Sequence, residues 1–179
     1  MWGACAMREA AGVTAARYLA GAVLAGTLLV GPHANAERLL AAVFLFQEDC
    51  RLHGAMPAQA PHDRARLGRL DAQLVVTLER SGQYAPIAVP VDPAWPGAWI
   101  CGGCELEAAR RAGAQVAVTG WVRTVSELVF AINVVVRDVA TGEVVAAGSV
   151  DVRGDTDDSW TRGLAGLLST RILDGATAQ

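Results

Sequence analysis

The strongest constraint on the fold is a series of three valine-rich segments at residues 115–125, 128–139 and 143–152. Each has the length of a strand and contains the β-branched residues that strands favour. In the second segment, every other residue from Phe130 to Val136 is large and apolar, which predicts one buried face. The link at 140–142 (ATG) predicts a hairpin with its glycine in the left-handed region. These segments therefore predict neighbouring strands of one sheet.

The rest of the chain alternates strand and helix patterns. Further strands are predicted at 39–46 and 84–89, and helices at 62–81, from Cys104, and from near Asp155. The run LLAAVFLF at 39–46 is apolar throughout, as expected for a strand that is covered on both faces. Leucines at three- and four-residue spacing between 67 and 78 predict an amphipathic helix. The order β-α-β-α-β-β-β-α predicts a single α+β domain with a mixed sheet of about five strands and helices packed on one side.

The N-terminus has the three parts of a secretory signal peptide. Arg8 and Arg17 precede an apolar run at 18–30, and the small residues at 34–36 (ANA) follow a Gly-Pro break. The run fits the roughly 7–15 residues of a signal sequence and is shorter than the about 20 that span a bilayer. We therefore predict a signal peptide at 1–36 and a single periplasmic domain at 37–179, with no membrane span in the mature chain.

Composition and charge exclude several classes of function. Hydrophobic residues make up 53% of the 179-residue chain, which is enough for a core. The 15 basic residues are all arginine and are outnumbered by 18 acidic ones, so a nucleic-acid partner is not expected. Ser126 and Ser159 have no histidine near them in sequence, and no other group has the spacing of a catalytic site. We predict no catalytic residue, no cofactor and no enzymatic activity.

Cys101 and Cys104 stand at C-x-x-C spacing between a proline-rich loop at 90–103 and a predicted helix. In an exported protein this spacing predicts a local disulfide that holds the loop to the helix. Two alternatives remain open: the helix N-terminus can activate a thiol for disulfide exchange, or the pair can bind a metal together with Cys50 and His53. We assign no metal site. Glu105 stands where covalent haem attachment requires histidine, which excludes covalent attachment of haem at this pair.

Tryptophans are the other unusual feature of this region. Trp95 and Trp99 lie in the loop, and Trp121 lies in a predicted strand. They can cover the sheet as core residues, or they can form an aromatic surface for a partner. Strand alternation places Trp121 and Arg123 on one face, opposite the face of Val118 and Val122. We predict that Trp95, Trp99, Trp121 and Arg123 form a partner-binding surface.

Several segments also resemble known bacterial proteins: VFLF, ERSGQY, RRAGAQVAVTGWV and VVVRDVATGEVV. They resemble a superfamily of envelope domains that includes the curli-secretion lipoprotein CsgG and the amino-terminal domain of the translocation protein TolB. A closer resemblance, from Leu39 to about Leu173, is to a family of small secreted proteobacterial proteins of unknown function. Its C-x-x-C, G-W-V and V-R-G-x-T-D-x-S-W segments stand here at 101–104, 120–122 and 152–160. The segment 47–50 (QEDC) departs from that pattern by adding Cys50.

The resemblance implies a periplasmic, non-enzymatic protein. It also associates the family with gene neighbourhoods of periplasmic quinoprotein alcohol dehydrogenases, which suggests where a partner can be sought. Together with the residues above, it predicts an accessory or assembly protein that binds another envelope protein. The alternatives are a periplasmic thiol-disulfide redox protein that uses Cys101 and Cys104, and a carrier of a small ligand or metal. The oligomeric state is left open.

Overall fold

The computed structural model describes residues 37–49, 61–92 and 94–174. The predicted signal peptide, Cys50 and His53 lie outside these ranges. The strands are β1 (Leu39–Asp49), β2 (Tyr84–Val89), β3 (Val116–Ser126), β4 (Val129–Asp138) and β5 (Val144–Arg153). The helices are α1 (Pro61–Arg80), α2 (Cys104–Arg111) and α3 (Asp157–Leu167), and a π-helical turn at Leu168–Leu173 continues α3.

The five strands form one mixed sheet in the order β2-β1-β3-β4-β5. β1 is parallel to β2 and to β3, while β3, β4 and β5 pair antiparallel in sequence order. Gly142, with φ at 75°, takes the left-handed conformation in the link between β4 and β5. The prediction of a single α+β domain with a five-stranded mixed sheet and this order of elements is confirmed.

Apolar side chains form a core on each face of this sheet. On the first face, α1 and α3 cover alternate residues of the strands, among them Val43, Val118 and Ile132. On the second face, α2 and the loop at 90–103 cover the opposite set, which includes Phe44. Both faces of β1 are therefore buried, as its unbroken apolar run predicts.

The prediction that all helices pack on one side of the sheet is wrong for α2. The chain crosses from β1 to β2 through α1, and then back past β1 to β3 through α2. These two connections run in opposite directions across the sheet. Parallel connections are right-handed almost without exception, so opposite directions place the two helices on opposite faces.

Charged residues join the N-terminal ends of α1 and α3 on the first face. The buried Arg66 side chain donates hydrogen bonds to Asp155 and Asp157. Its Cζ also lies 5.0 Å from the centroid of a Trp160 ring, a cation-π contact. Hydrogen bonds from Arg69 and Arg66 hold the pKa of Asp157 below its ordinary value. The acidic start of α3 therefore fixes this helix against α1.

A carboxylate of α1 supports an irregularity in β1. The pairing of β1 with β3 shifts between Phe44 and Gln47, and the backbone N–H of Phe46 donates to Asp71 Oδ1 at 2.6 Å. Burial raises the pKa of Asp71 from 3.8 to about 6, although this hydrogen bond opposes the shift. The native state therefore binds a proton more tightly than the unfolded chain does.

This raised pKa predicts a pH-dependent loss of stability. Between about pH 4 and about pH 7 the unfolded chain releases the Asp71 proton first, so the free energy of unfolding falls as the pH rises through 6. Asp71→Asn keeps an acceptor for Phe46 but cannot ionise. In urea unfolding at about pH 4 and about pH 8, we expect the variant to lose less stability than the wild type. Asp151→Asn, at an exposed carboxylate, is the control, and equal pH dependence of Asp71→Asn and wild type would refute this assignment.

Candidate functional site

The proline-rich loop follows β2 and crosses the second face of the sheet. Its turn is closed locally, because Asp92 accepts hydrogen bonds from the backbone of Ala94 and Trp95. It is also tied to β1, since the backbone N–H of the buried Ala98 donates to Gln47 Oε1 at 2.9 Å. The loop is therefore an ordered cover of the sheet rather than a free connection.

The structure separates the three tryptophans of the predicted surface. Trp95 packs against Phe44, with ring centroids 6.2 Å apart, and belongs to the second core. Trp99 stacks on Trp121, with centroids 5.6 Å apart and planes within 9°. Both stacked rings are half-buried, and Arg123 is exposed. Trp95 is thus partly buried against the second core, whereas Trp99 and Trp121 pack on each other beside the exposed Arg123.

Beyond the stacked indoles, the second face continues onto β4 and β5. Strand register places Asn133 opposite Trp121, and Ser149 opposite Asn133. Residues opposite one another point to the same face, so the row extends the surface to the sheet edge. Ser149 is exposed and Asn133 is half-buried. We call the surface formed by Trp99, Trp121, Arg123, Asn133 and Ser149 the Trp-Arg face.

Cys101 and Cys104 form the predicted disulfide, with Cα atoms 5.6 Å apart. The two residues between them, Gly102 and Gly103, have φ of 73° and 109°, which glycine adopts without strain. α2 begins at Cys104 itself. The bridge therefore joins the end of the proline-rich loop to the first residue of a helix.

A buried ion pair lies directly beside this disulfide. Glu105 is 3% exposed, and its Oε1 accepts a hydrogen bond from Arg137 Nη1 at 2.5 Å. Its Oε2 lies 3.2 Å from Cys101 Sγ. Arg137 also donates to the carbonyl of Gly142, which connects the disulfide to the β4–β5 turn. These hydrogen bonds thus hold α2 to the β4–β5 turn, with the disulfide beside them.

The contact of Glu105 with Arg137 was not predicted from the sequence. The two residues are 32 positions apart, and only the packing of α2 on the second face brings them together. The sequence of α2 does indicate that Glu105 is buried. Glu105 precedes the buried Ala108 and Ala109 by three and four residues, so helical spacing places its side chain on the buried side.

Within the described ranges, one group of side chains has metal-ligand geometry. Ligand atoms of Cys101, Cys104 and Glu105 lie within 4.8 Å of one another. Zinc and other soft metals bind thiolate, which the two sulfurs do not offer while they are joined as a disulfide. This group is therefore a metal site only in a reduced protein. The predicted zinc alternative with Cys50 and His53 falls on residues outside those that the structure describes.

A separate cleft opens on the first face, where β1 and β3 end. Its empty space, part of it open to solvent, is about 620 Å³. The cleft is lined by Glu48, Leu67, Val122, Thr124, Phe130, Asp155 and Trp160. A crevice at the carboxyl ends of parallel strands is where sheets of this kind often hold ligands.

Comparison with known proteins assigns the chain to a family. The family DUF3280, described as a protein of unknown function (DUF2380), matches residues 40–172. The chain belongs to this family. The match confirms the expected membership of a family of unknown function. No curated protein matches the chain in sequence.

Several solved structures resemble this one. The PelC dodecamer from Paraburkholderia phytofirmans has 20% identity and a TM-score of 0.48, over 75% of this chain and 87% of that one. The LpoB C-terminal domain from Escherichia coli has 14% identity and a TM-score of 0.45, over 69% and 88%. TolB from Acinetobacter baumannii has 17% identity and a TM-score of 0.40, over 74% and 30%. Among the described residues, no helix combines the length and the apolar character that crossing a membrane requires.

Proposed function

We propose that this protein is a non-catalytic accessory or assembly protein of the periplasm, and that it binds another envelope protein through the Trp-Arg face. The observation that carries the proposal is the stacked pair Trp99 and Trp121, half-buried beside the exposed Arg123. The N-terminal export pattern and the disulfide support a periplasmic location. The resemblance to secreted proteins of unknown function supports a role without catalysis.

The chemistry of this face suits a protein partner. Tryptophan and arginine are, with tyrosine, the side chains enriched among residues that dominate binding energy. Stacking against Trp99 already restricts the Trp121 ring, so less conformational entropy remains to be lost when a partner binds. Register places Arg123 and Asp151 on either side of Ala131, which gives the face charges of both signs at its margin. Such a surface combines an aromatic centre with a polar rim.

The disulfide has a defined part in this proposal. Trp99 lies two residues before Cys101, so the bridge to Cys104 limits the positions that its ring can take. Gly97 is also needed, because a Cβ atom there would lie 2.8 Å from the Trp99 ring. The loop is thus built to hold one indole against the other.

A photoreactive amino acid at position 123 tests the proposal in living cells. We expect a specific crosslink to one envelope protein from this position. The matched control is position 76 on α1, where Val76 is 40% exposed on a helix that covers the first face. We expect that control to give no such product. Absence of a crosslink at position 123, or the same products at both positions, would contradict the proposal. Components of periplasmic quinoprotein dehydrogenase systems are the first partners to seek.

A further inference from the structure

The carboxylate of Glu105 is incompletely satisfied while the disulfide is closed. Among the described residues, Arg137 donates to Oε1, and the atom nearest to Oε2 that could donate is Cys101 Sγ. A sulfur in a disulfide carries no proton, so this 3.2 Å contact is not a hydrogen bond in the oxidised protein. The Glu105 side chain is only 4% exposed, and its Oε2 accepts no hydrogen bond from the sulfur that it contacts.

Reduction supplies the missing donor. A Cys101 thiol at the same position would donate to Glu105 Oε2, a hydrogen bond to an ionised group. The reduced form thus gains an interaction that the oxidised form lacks. We propose that Cys101 and Cys104 form a thiol-disulfide exchange site, whose substrate is a dithiol and whose reduced state Glu105 stabilises. This inference departs from the proposed function in one respect, because it adds a redox activity to a protein proposed above as non-catalytic. It does not depend on the Trp-Arg face.

The exchange proceeds in two steps. A thiolate of the dithiol attacks Cys104 Sγ, which forms a mixed disulfide and breaks the bond between the two cysteines. Cys101 Sγ leaves with the bonding electrons and takes up a proton from solvent as it leaves, which replaces the proton that the substrate thiol lost. The new thiol then donates a hydrogen bond to Glu105. The second thiolate of the substrate then attacks the substrate sulfur that is bound to Cys104. The substrate disulfide forms, and Cys104 is released and protonated. Across both steps, the substrate loses two electrons and two protons, and the protein gains two electrons and two protons.

The surroundings of the two sulfurs explain why Cys104 is the one attacked. An incoming thiolate is repelled by the negative Glu105 beside Cys101 Sγ. Cys104 is the first residue of α2, where the positive end of the helix dipole attracts the incoming thiolate. With oxidised glutathione as the disulfide, Cys101→Ser should therefore form a mixed disulfide at Cys104 and release reduced glutathione, whereas Cys104→Ser should form much less at Cys101. Equal trapping by the two variants would overturn this order of attack.

The equilibrium of the wild-type protein tests the site without any substitution. Structural disulfides of exported proteins have reduction potentials below about −300 mV and resist the glutathione pool. We expect this disulfide to open in millimolar reduced glutathione, as measured by alkylation of the thiols and mass spectrometry. A disulfide that stays closed under these conditions would show that the bridge is structural only.

The role of Glu105 is tested by Glu105→Gln, which removes the charge and keeps the size. We expect the equilibrium constant for reduction to fall about tenfold, which corresponds to about 30 mV for this two-electron couple. Glu107→Gln is the matched control, since Glu107 lies in the same helical turn and its side chain is 71% exposed. We expect its equilibrium constant to equal that of the wild type. An unchanged constant in Glu105→Gln would overturn the assignment, and the wild-type equilibrium decides the case if that variant does not fold.

Discussion

Replacing Phe44 with alanine is expected to lower the free energy of unfolding by about 3–5 kcal/mol, the usual cost of removing a buried phenylalanine. Phe44 is 0% exposed and packs in the second core against Trp95 and the residues around α2. Loss of the Phe44 ring would leave a cavity beneath both α2 and the proline-rich loop. The experiment therefore tests whether this side of the sheet holds a core of its own.

The neighbouring residue provides the control. Leu45 belongs to the same strand, but it is 44% exposed, so Leu45→Ala should cost much less. Urea unfolding followed by circular dichroism measures both variants. Similar losses for the two substitutions would mean that the second face is not packed as described. A large loss for Phe44→Ala alone supports a sheet that is covered on both sides.

The second large effect is expected at Gly163 in α3. A Cβ atom there would lie 2.5 Å from Val152 Cγ2, so the helix packs on β5 with no room for a methyl group. Gly163→Ala should lower the free energy of unfolding by about 1–3 kcal/mol through overpacking. Gly166, one turn on, has nothing within 4 Å of the same position. Gly166→Ala should instead raise stability by up to about 1 kcal/mol, because alanine favours helix more than glycine does.

The same unfolding assay compares these two substitutions in a single helix. Opposite signs are expected, since helix propensity acts alike at both positions and only Gly163 contacts the sheet. A stabilising Gly163→Ala would show that α3 does not lie so close to β5. This comparison tests the packing of the core on the first face, which does not include Phe44.

Local patterns were sufficient to predict the elements of this fold. Alternation from Phe130 to Val136 and the leucine spacing of α1 depend only on neighbours along the chain, and these elements lie where expected. The side of the sheet that α2 covers depends on strand order, which periodicity does not encode. The apolar run of β1 already required cover on both faces, so the expectation of one-sided helices contradicted an inference from the same sequence.

The candidate site was predictable to a similar extent. C-x-x-C spacing was enough for the disulfide, and strand alternation was enough to place Trp121 and Arg123 on one face. No periodicity holds in the proline-rich loop, so the division of roles between Trp95 and Trp99 could not be deduced. The contact of Glu105 with Arg137 arises only from tertiary packing.

The most direct test of the central claim is the affinity of the crosslinked partner for Trp121→Ala. Trp121 stacks on Trp99 within the Trp-Arg face, and truncation of a hot-spot residue costs about 2 kcal/mol or more of binding energy. We expect the Kd to rise at least about tenfold in Trp121→Ala and in Arg123→Glu, which alters an exposed side chain. Val76→Ala, on the other side of the sheet, should bind like the wild type. Unchanged affinity in both Trp121→Ala and Arg123→Glu would contradict the claim that the partner binds this face.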